Sequence, residues 1–273
     1  MTTAVTRCFG RYLLDDAESR PQSVCAVTKL DTDGYGEAME TLRVGMAMPD
    51  PPFNAMPDGG GLDVDLMHAL SEKIGATVDF KPYEGHDFEG IFDALGSDYD
   101  CVPAGTVTPE REEKATFLPP YLISGQALAV DTRRLPRVTS IDGLDGLTVG
   151  VKRGDTSRPI AERLVHDGKA GAVRSYDYGS IHDALTDLAS GDCDALMTLA
   201  PTLTELVRQV PGIEVVQRGI TVEDIAIAVP LGDQALLSRL TVAQAELEAD
   251  GTLQRIRRKW LGNPYADQNL AVR

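Results

Sequence analysis

From residue 41 onward, short unbroken apolar runs alternate with longer stretches whose apolar residues recur at helical spacing. T-L-R-V-G-M-A (Thr41–Ala47) reads as a buried strand, stopped by the turn-rich M-P-D-P-P-F-N. Leu62, Leu66, Ala69, Leu70 and Ile74 then share one helical face, with Asp63 as the expected N-cap and Gly75 as the left-handed stop. T-V-D-F predicts a second strand and F-E-G-I-F-D-A-L a short helix. D-Y-D-C-V-P-A predicts a third strand, which feeds a helix opened by Thr108 and Pro109. Such alternation predicts an α/β fold with a parallel-rich sheet.

A polar break, D-T-R-R-L-P-R-V-T-S, follows Q-A-L-A-V at 126–130, and the alternation begins afresh. L-T-V-G-V, V-R-S-Y and A-L-M-T-L predict strands, interleaved with helices over S-R-P-I-A-E-R-L-V-H-D-G, I-H-D-A-L-T-D-L-A-S-G and P-T-L-T-E-L-V-R-Q-V. Ser180 and Asp183 have the spacing of a capping box for the second of these. A last strand, D-I-A-I-A-V-P (224–230), precedes two helices ending in I-R-R-K-W-L-G. Two units of similar size with a tail returning to the first predict two lobes joined by two crossings. The expected boundaries are an N-terminal extension over 1–40, lobe one over 41–128 and 224–273, and lobe two over 129–223.

Charge narrows the partners. The net charge is −16 and the isoelectric point about 4.6, which argues against nucleic acid and anionic membrane. A small anionic ligand is not excluded, because one local arginine outweighs distant, screened acidic surface. The first residues, M-T-T-A-V-T-R-C-F-G-R-Y, lack the apolar core of a signal peptide, and no run approaches a membrane span. The resulting expectation is a cytoplasmic protein whose Cys8, Cys25, Cys101 and Cys193 are free thiols. The histidines show no metal-ligand spacing, and no cofactor is expected.

The candidate chemistry centres on T-V-T-P-E-R-E-E-K (106–114). A helix N-terminus attracts anions, so Arg111 in the first turn opposes the local field. A bound carboxylate would explain it, because guanidinium and carboxylate meet as a two-pronged fork. The alternative, which the stretch taken alone favours, is a solvated arginine pairing with Glu110 or Glu112.

Taken together, L-R-V-G with P-P-F, G-L-D-V-D-L-M-H-A-L, Y-D-C-V-P-A-G-T-V-T-P-E-R, V-G-V-K-R-G-D-T, A-L-T-D-L-A-S-G-D-C-D-A and A-D-G-T-L-Q-R-I-R-R-K-W-L-G resemble the amino-acid-binding branch of the bacterial solute-binding proteins, family 3. The resemblance runs from Leu42 to about Gly262. It implies a two-lobed α/β fold of the type II periplasmic-binding-protein kind with two hinge crossings, and a hinged clamp that serves an ABC importer if exported. It further implies that Arg111 grips a ligand carboxylate with help from Thr106, and that Thr156, in G-D-T, both caps the helix that follows and donates to the same group. Phe88 would stack on the ligand, and Phe53 of P-P-F would join the ligand-binding set. Asp155 adds an anion where the family has a hydroxyl, or else caps the following helix.

Two departures stand out. Asp50 replaces the family's aromatic before P-P-F, and Leu199 aligns with the aspartate that usually pairs the ligand's α-ammonium. A buried ammonium facing leucine would be unpaired. The expected ligand is therefore a small carboxylate lacking that ammonium, or one whose cation turns toward Asp50, Glu89 or Asp224. The alternative is a cofactor-independent lyase on the same scaffold, similar to cyclohexadienyl dehydratase, with Asp50, His86, Glu89, Asp155 and Asp224 as candidate acids and bases.

Overall fold

A computed structural model of the chain describes residues 40–208 and 210–262. Residues 1–39 of the expected extension, with Cys8 and Cys25, lie outside the described residues.

Lobe one begins with β1 (Thr41–Ala47), paired in parallel with β2 (Thr77–Tyr83) across α1 (Leu62–Ile74). After the short α2 (Gly90–Asp93), β3 (Val102–Thr106) runs antiparallel to β11 (Glu223–Pro230), which also pairs β4 (Ala115–Phe117) and β5 (Leu122–Ser124). The lobe closes with α7 (Gln234–Ala249) and α8 (Thr252–Leu261), which pack on α1. Phe53, Leu62, Leu66, Leu70, Ile225, Ile227, Leu240 and Leu253 form the core of this lobe, all fully buried.

Lobe two is a five-stranded sheet in the order β10-β6-β9-β7-β8. Its strands are β6 (Gln126–Asp131), β7 (Thr148–Lys152), β8 (Ala172–Tyr176), β9 (Ala195–Leu199) and β10 (Ile213–Gln217). β7, β8 and β9 are parallel, whereas β6 and β10 run antiparallel to their neighbours. The sheet is covered on both faces. Ala127, Ala129 and Leu196 pack with α5 (Ile181–Ser190) and α6 (Ala200–Val207), while Leu128, Val130, Val149 and Met197 pack with residues of α4 (Ser157–His166). Burial on both faces is why these strands read as continuous apolar runs rather than alternating ones.

Three local expectations change. The boundary at 128/129 would cut β6, which lies wholly in the lobe-two sheet, so the crossings fall near Gly125 and at 218–222. Asp63 does not cap α1. The helix begins after Gly61 without a side-chain cap, and Asp63 is buried in the first turn, accepting a hydrogen bond from Tyr121 Oη at 2.6 Å. Ser180 makes no capping bond either, because a 3-10 turn over Tyr178–Ser180 leads into α5. The strands A-T-F (115–117), L-I-S (122–124) and I-E-V-V-Q (213–217) are additions to the sequence reading. Gly75 does take the left-handed stop, with φ 71°, and Thr108 caps the short helix α3 (Pro109–Glu112) by accepting from Arg111 N at 3.3 Å. Cys101 and Cys193 are buried free thiols.

Candidate functional site

The two lobes meet around a group of buried polar side chains. Arg111 is delivered by the β3–α3 turn and is only 2% exposed. Its Nε and Nη2 donate to Glu89 Oε1 at 3.0 and 2.7 Å, and Nη1 donates to the Thr106 carbonyl at 2.9 Å. Nη2 also reaches across to the Gly154 carbonyl of lobe two at 2.9 Å. The rings of Phe88 and Phe92 lie 4.8 and 5.3 Å from the guanidinium carbon. Of these partners only the Glu89 carboxylate carries charge, and its side chain is 41% exposed. The alternative pairing with Glu110 or Glu112 is not what the structure has, since Arg111 points inward.

Backbone contacts close the lobes on either side of Arg111. Phe88 N donates to the Arg153 carbonyl at 3.2 Å, and Tyr178 N donates to the His86 carbonyl at 2.9 Å. Gly154 makes this approach possible: its φ is 71°, and a Cβ there would sit 2.5 Å from Phe88 N. Phe88 stacks on Tyr178 with ring centroids 5.3 Å apart.

A second charge pair crosses the cleft. Lys152, at the end of β7, donates through Nζ to Asp50 Oδ1 at 3.1 Å. Thr202 Oγ1 donates to the same oxygen at 3.0 Å, and Tyr178 Oη donates to Asp50 Oδ2 at 2.9 Å. Lys152 also sits 4.2 Å over the Tyr178 ring. Burial, then the charge and the hydrogen bond of Asp50, push the Tyr178 phenol well above its ordinary range, so it stays a donor.

The third group is built on Glu223. Thr106 Oγ1 and Thr156 Oγ1 donate to its Oε2 at 3.1 and 2.7 Å. Gln126 Nε2 and Thr221 Oγ1 donate to Oε1 at 3.1 and 2.6 Å. Beside it, Asp155 accepts from Ser157 N and Thr198 Oγ1, both at 2.8 Å, so it does cap α4, but from inside the cleft rather than toward solvent.

The structure thus brings together Asp50, Phe88, Thr106, Arg111, Asp155, Thr156 and Leu199 around a cavity of only about 20 Å³, far smaller than a ligand site, because their own side chains fill the closed cleft. Two expected residues fall outside it. Phe53 is fully buried among Leu62, Leu66 and Leu70, because the P-P-F turn tucks its ring into the lobe-one core. Asp224 is exposed, because successive strand residues face opposite ways and its neighbour Glu223 takes the inward position. The expectation that Thr156 caps its helix also fails; its hydroxyl goes to Glu223. His86 stands exposed at the mouth, 3.2 Å from Asp177.

Sequence reading missed Lys152, Tyr178, Gln126, Thr202 and Glu223. For two of them a signal existed: Gln126 and Lys152 are polar residues at the ends of otherwise apolar buried strands. A buried polar group needs a partner, and Lys152 stands at the carboxyl end of the parallel strand β7, where α/β sheets place ligands.

Residues 42–263 match the family described as bacterial extracellular solute-binding proteins, family 3, and the chain belongs to that family. The ABC transporter arginine-binding protein 1 of Escherichia coli (strain K12) is 28% identical over 82% of this chain and 91% of its own length. An ancestral arginine-binding protein solved with arginine superposes with a TM-score of 0.74 at 34% identity, covering 81% of this chain and 98% of the other. An ancestral amino-acid-binding protein, a precursor of cyclohexadienyl dehydratase, gives 0.71 at 29% identity over 81% and 95%. The fold is therefore the two-lobed type II periplasmic-binding-protein architecture, a hinged clamp for a small solute. These matches also overturn the cytoplasmic expectation, since the family is extracellular by description. That expectation leaned on the absence of an apolar leader, and an absence is weaker than a family match over most of the chain.

Proposed function

We propose that this family 3 member is the solute-binding component of an ABC importer for an amino-acid-type solute, with Arg111 as the anchor for the solute's carboxylate. The observation that supports this best is Arg111 itself. It is a buried cation in contact with both lobes, and its one charged partner among the described residues, Glu89, has a half-exposed side chain. A solute carboxylate taking Glu89's place keeps both prongs of the fork filled.

The expectation of a solute without an α-ammonium rests on Leu199 alone. The charge balance of the cleft favours a zwitterion instead. Lys152 is shared by Asp50 at 3.1 Å and Asp155 at 3.9 Å, and once Arg111 holds the solute, Glu223 remains as an anion held by neutral donors, so the acidic groups outnumber the cations. An arginine-binding relative and an ancestral protein bound to arginine point the same way.

Calorimetry with the standard α-amino acids and their 2-oxo and 2-hydroxy analogues tests the reading. Tight binding of one or more amino acids is expected in the wild type, abolished in Arg111→Ala at a cost of about 2–5 kcal/mol. Unchanged affinity in that variant removes Arg111 from the site. Tighter binding of the deaminated analogues returns the solute to the class expected from Leu199.

A further inference from the structure

We infer that Glu223, together with the hydroxyl oxygens of Thr106 and Thr156 and the amide oxygen of Gln126, forms an ammonium subsite that replaces the one lost at Leu199. The inference rests on the amino-acid reading of the cleft and names the residues that would read the solute's nitrogen.

A hydroxyl has one hydrogen to donate. Thr106 and Thr156 both spend theirs on Glu223 Oε2, at 3.1 and 2.7 Å. Both residues line the cleft, so what they offer a solute is oxygen lone pairs. Hydroxyls in that state receive N–H donors and repel a carboxylate. The family resemblance would have them donate to the solute's carboxylate, and here Glu223 reverses their polarity.

Gln126 supplies an independent observation. Its side chain is fully buried, and Nε2 is directed at three acceptors: Thr156 Oγ1 at 2.9 Å, Glu223 Oε1 at 3.1 Å and Asp155 Oδ1 at 3.4 Å. Exchanging the amide's nitrogen and oxygen would set an acceptor against two carboxylates, so the neighbours fix its orientation. The Oε1 atom of the same amide is buried without any hydrogen-bond partner among the described residues. A buried orphan acceptor is costly, and a donor placed there recovers the loss.

Position ties the group to the departure at residue 199. Gln126 on β6 is the cross-strand partner of Leu199 on β9. The negative charge missing at Leu199 is therefore restored next door, by a glutamate that hydrogen-bonds Leu199's own strand partner. Glu223 has four neutral donors and no cation of its own among the described residues. An ammonium resting on the Thr106 and Thr156 oxygens would supply that missing positive charge. Arg111 touches the Thr106 carbonyl at 2.9 Å, so the carboxylate and ammonium anchors converge on one residue, as the short span of an α-amino acid requires.

The test takes the α-amino acid that binds the wild type most tightly, with its 2-oxo and 2-hydroxy analogues, and measures each by calorimetry on wild type, Glu223→Gln, Leu199→Asp and the double variant. Glu223→Gln is expected to weaken the amino acid roughly tenfold or more while leaving both analogues unchanged. Leu199→Asp in that background should restore the preference. The unliganded melting temperature checks the fold, and Glu223→Asp, which keeps the charge, should retain discrimination. Equal weakening of amino acid and analogues would make Glu223 a brace between the lobes and overturn the inference, as would no change at all. Wild type that binds only the analogues instead sinks the amino-acid reading, an outcome visible before any variant is made.

Discussion

The Arg111–Glu89 pair and the Lys152–Asp50 pair span similar distances, 2.7 and 3.1 Å, and both cations are buried. Their anions differ. Glu89 is 41% exposed, whereas the Asp50 side chain is 6% exposed and also accepts from Tyr178 and Thr202. Releasing Glu89 returns a carboxylate to water at little cost, so a solute can exchange for it. Separating Asp50 from Lys152 inside a closed cleft would strand two buried charges, so that pair parts only when the lobes do. On the proposed reading, one pair is exchanged for solute and the other is a latch across the lobes.

The largest effect that would break this contrast is Lys152→Met. It leaves Asp50 buried without a cation, and should destabilise the closed arrangement by about 3–5 kcal/mol. Denaturant unfolding, and X-ray scattering for the radius of gyration, should show lower stability or a more open particle. Adding Asp50→Leu should recover most of the loss; a double variant as unstable as the single one would mean that lost packing, not the stranded charge, is responsible.

Gly154→Ala comes next. A left-handed non-glycine residue costs about 1–3 kcal/mol, and its Cβ would meet Phe88 N across the lobe boundary. Affinity for any solute should fall while the solute preference stays, as read by calorimetry. A shifted preference would place Gly154 in recognition rather than closure.

Glu89→Ala sharpens the comparison from the other side. Removing the exchangeable anion should tighten solute binding modestly, by up to about 1 kcal/mol. Weaker binding would show that Glu89 contacts the solute instead of yielding to it.

Asp63 gives a third case, a buried carboxylate with no cation among the described residues. Burial pushes its acid well above the ordinary carboxylate range; the Tyr121 hydrogen bond opposes this and the charge of Asp50 adds to it. The native state therefore keeps a proton that the unfolded chain releases above about pH 4. Stability should fall as pH rises from there toward the native pKa, and Asp63→Asn should flatten that slope in a denaturation series. An equal slope in the variant would assign it to other groups.

The apolar pattern by itself determined most of the strands and helices, the restart that makes two lobes, and the Thr108–Pro109 turn that presents Arg111. These are decided by burial period and by chemistry within a few residues, which a linear reading contains. The conditions at helix starts were only partly legible: Thr108 caps its helix, but Asp63 is claimed by Tyr121 from 58 residues away, and Ser180 ends a 3-10 turn that leads directly into its helix. The partners inside the cleft came from tertiary structure alone. Lys152 lies 102 residues from Asp50, and Glu223 lies 117 from Thr106. The choice of Glu223 over Asp224 turns on a single step of strand register, which only the pairing of β11 with β3 and β5 settles.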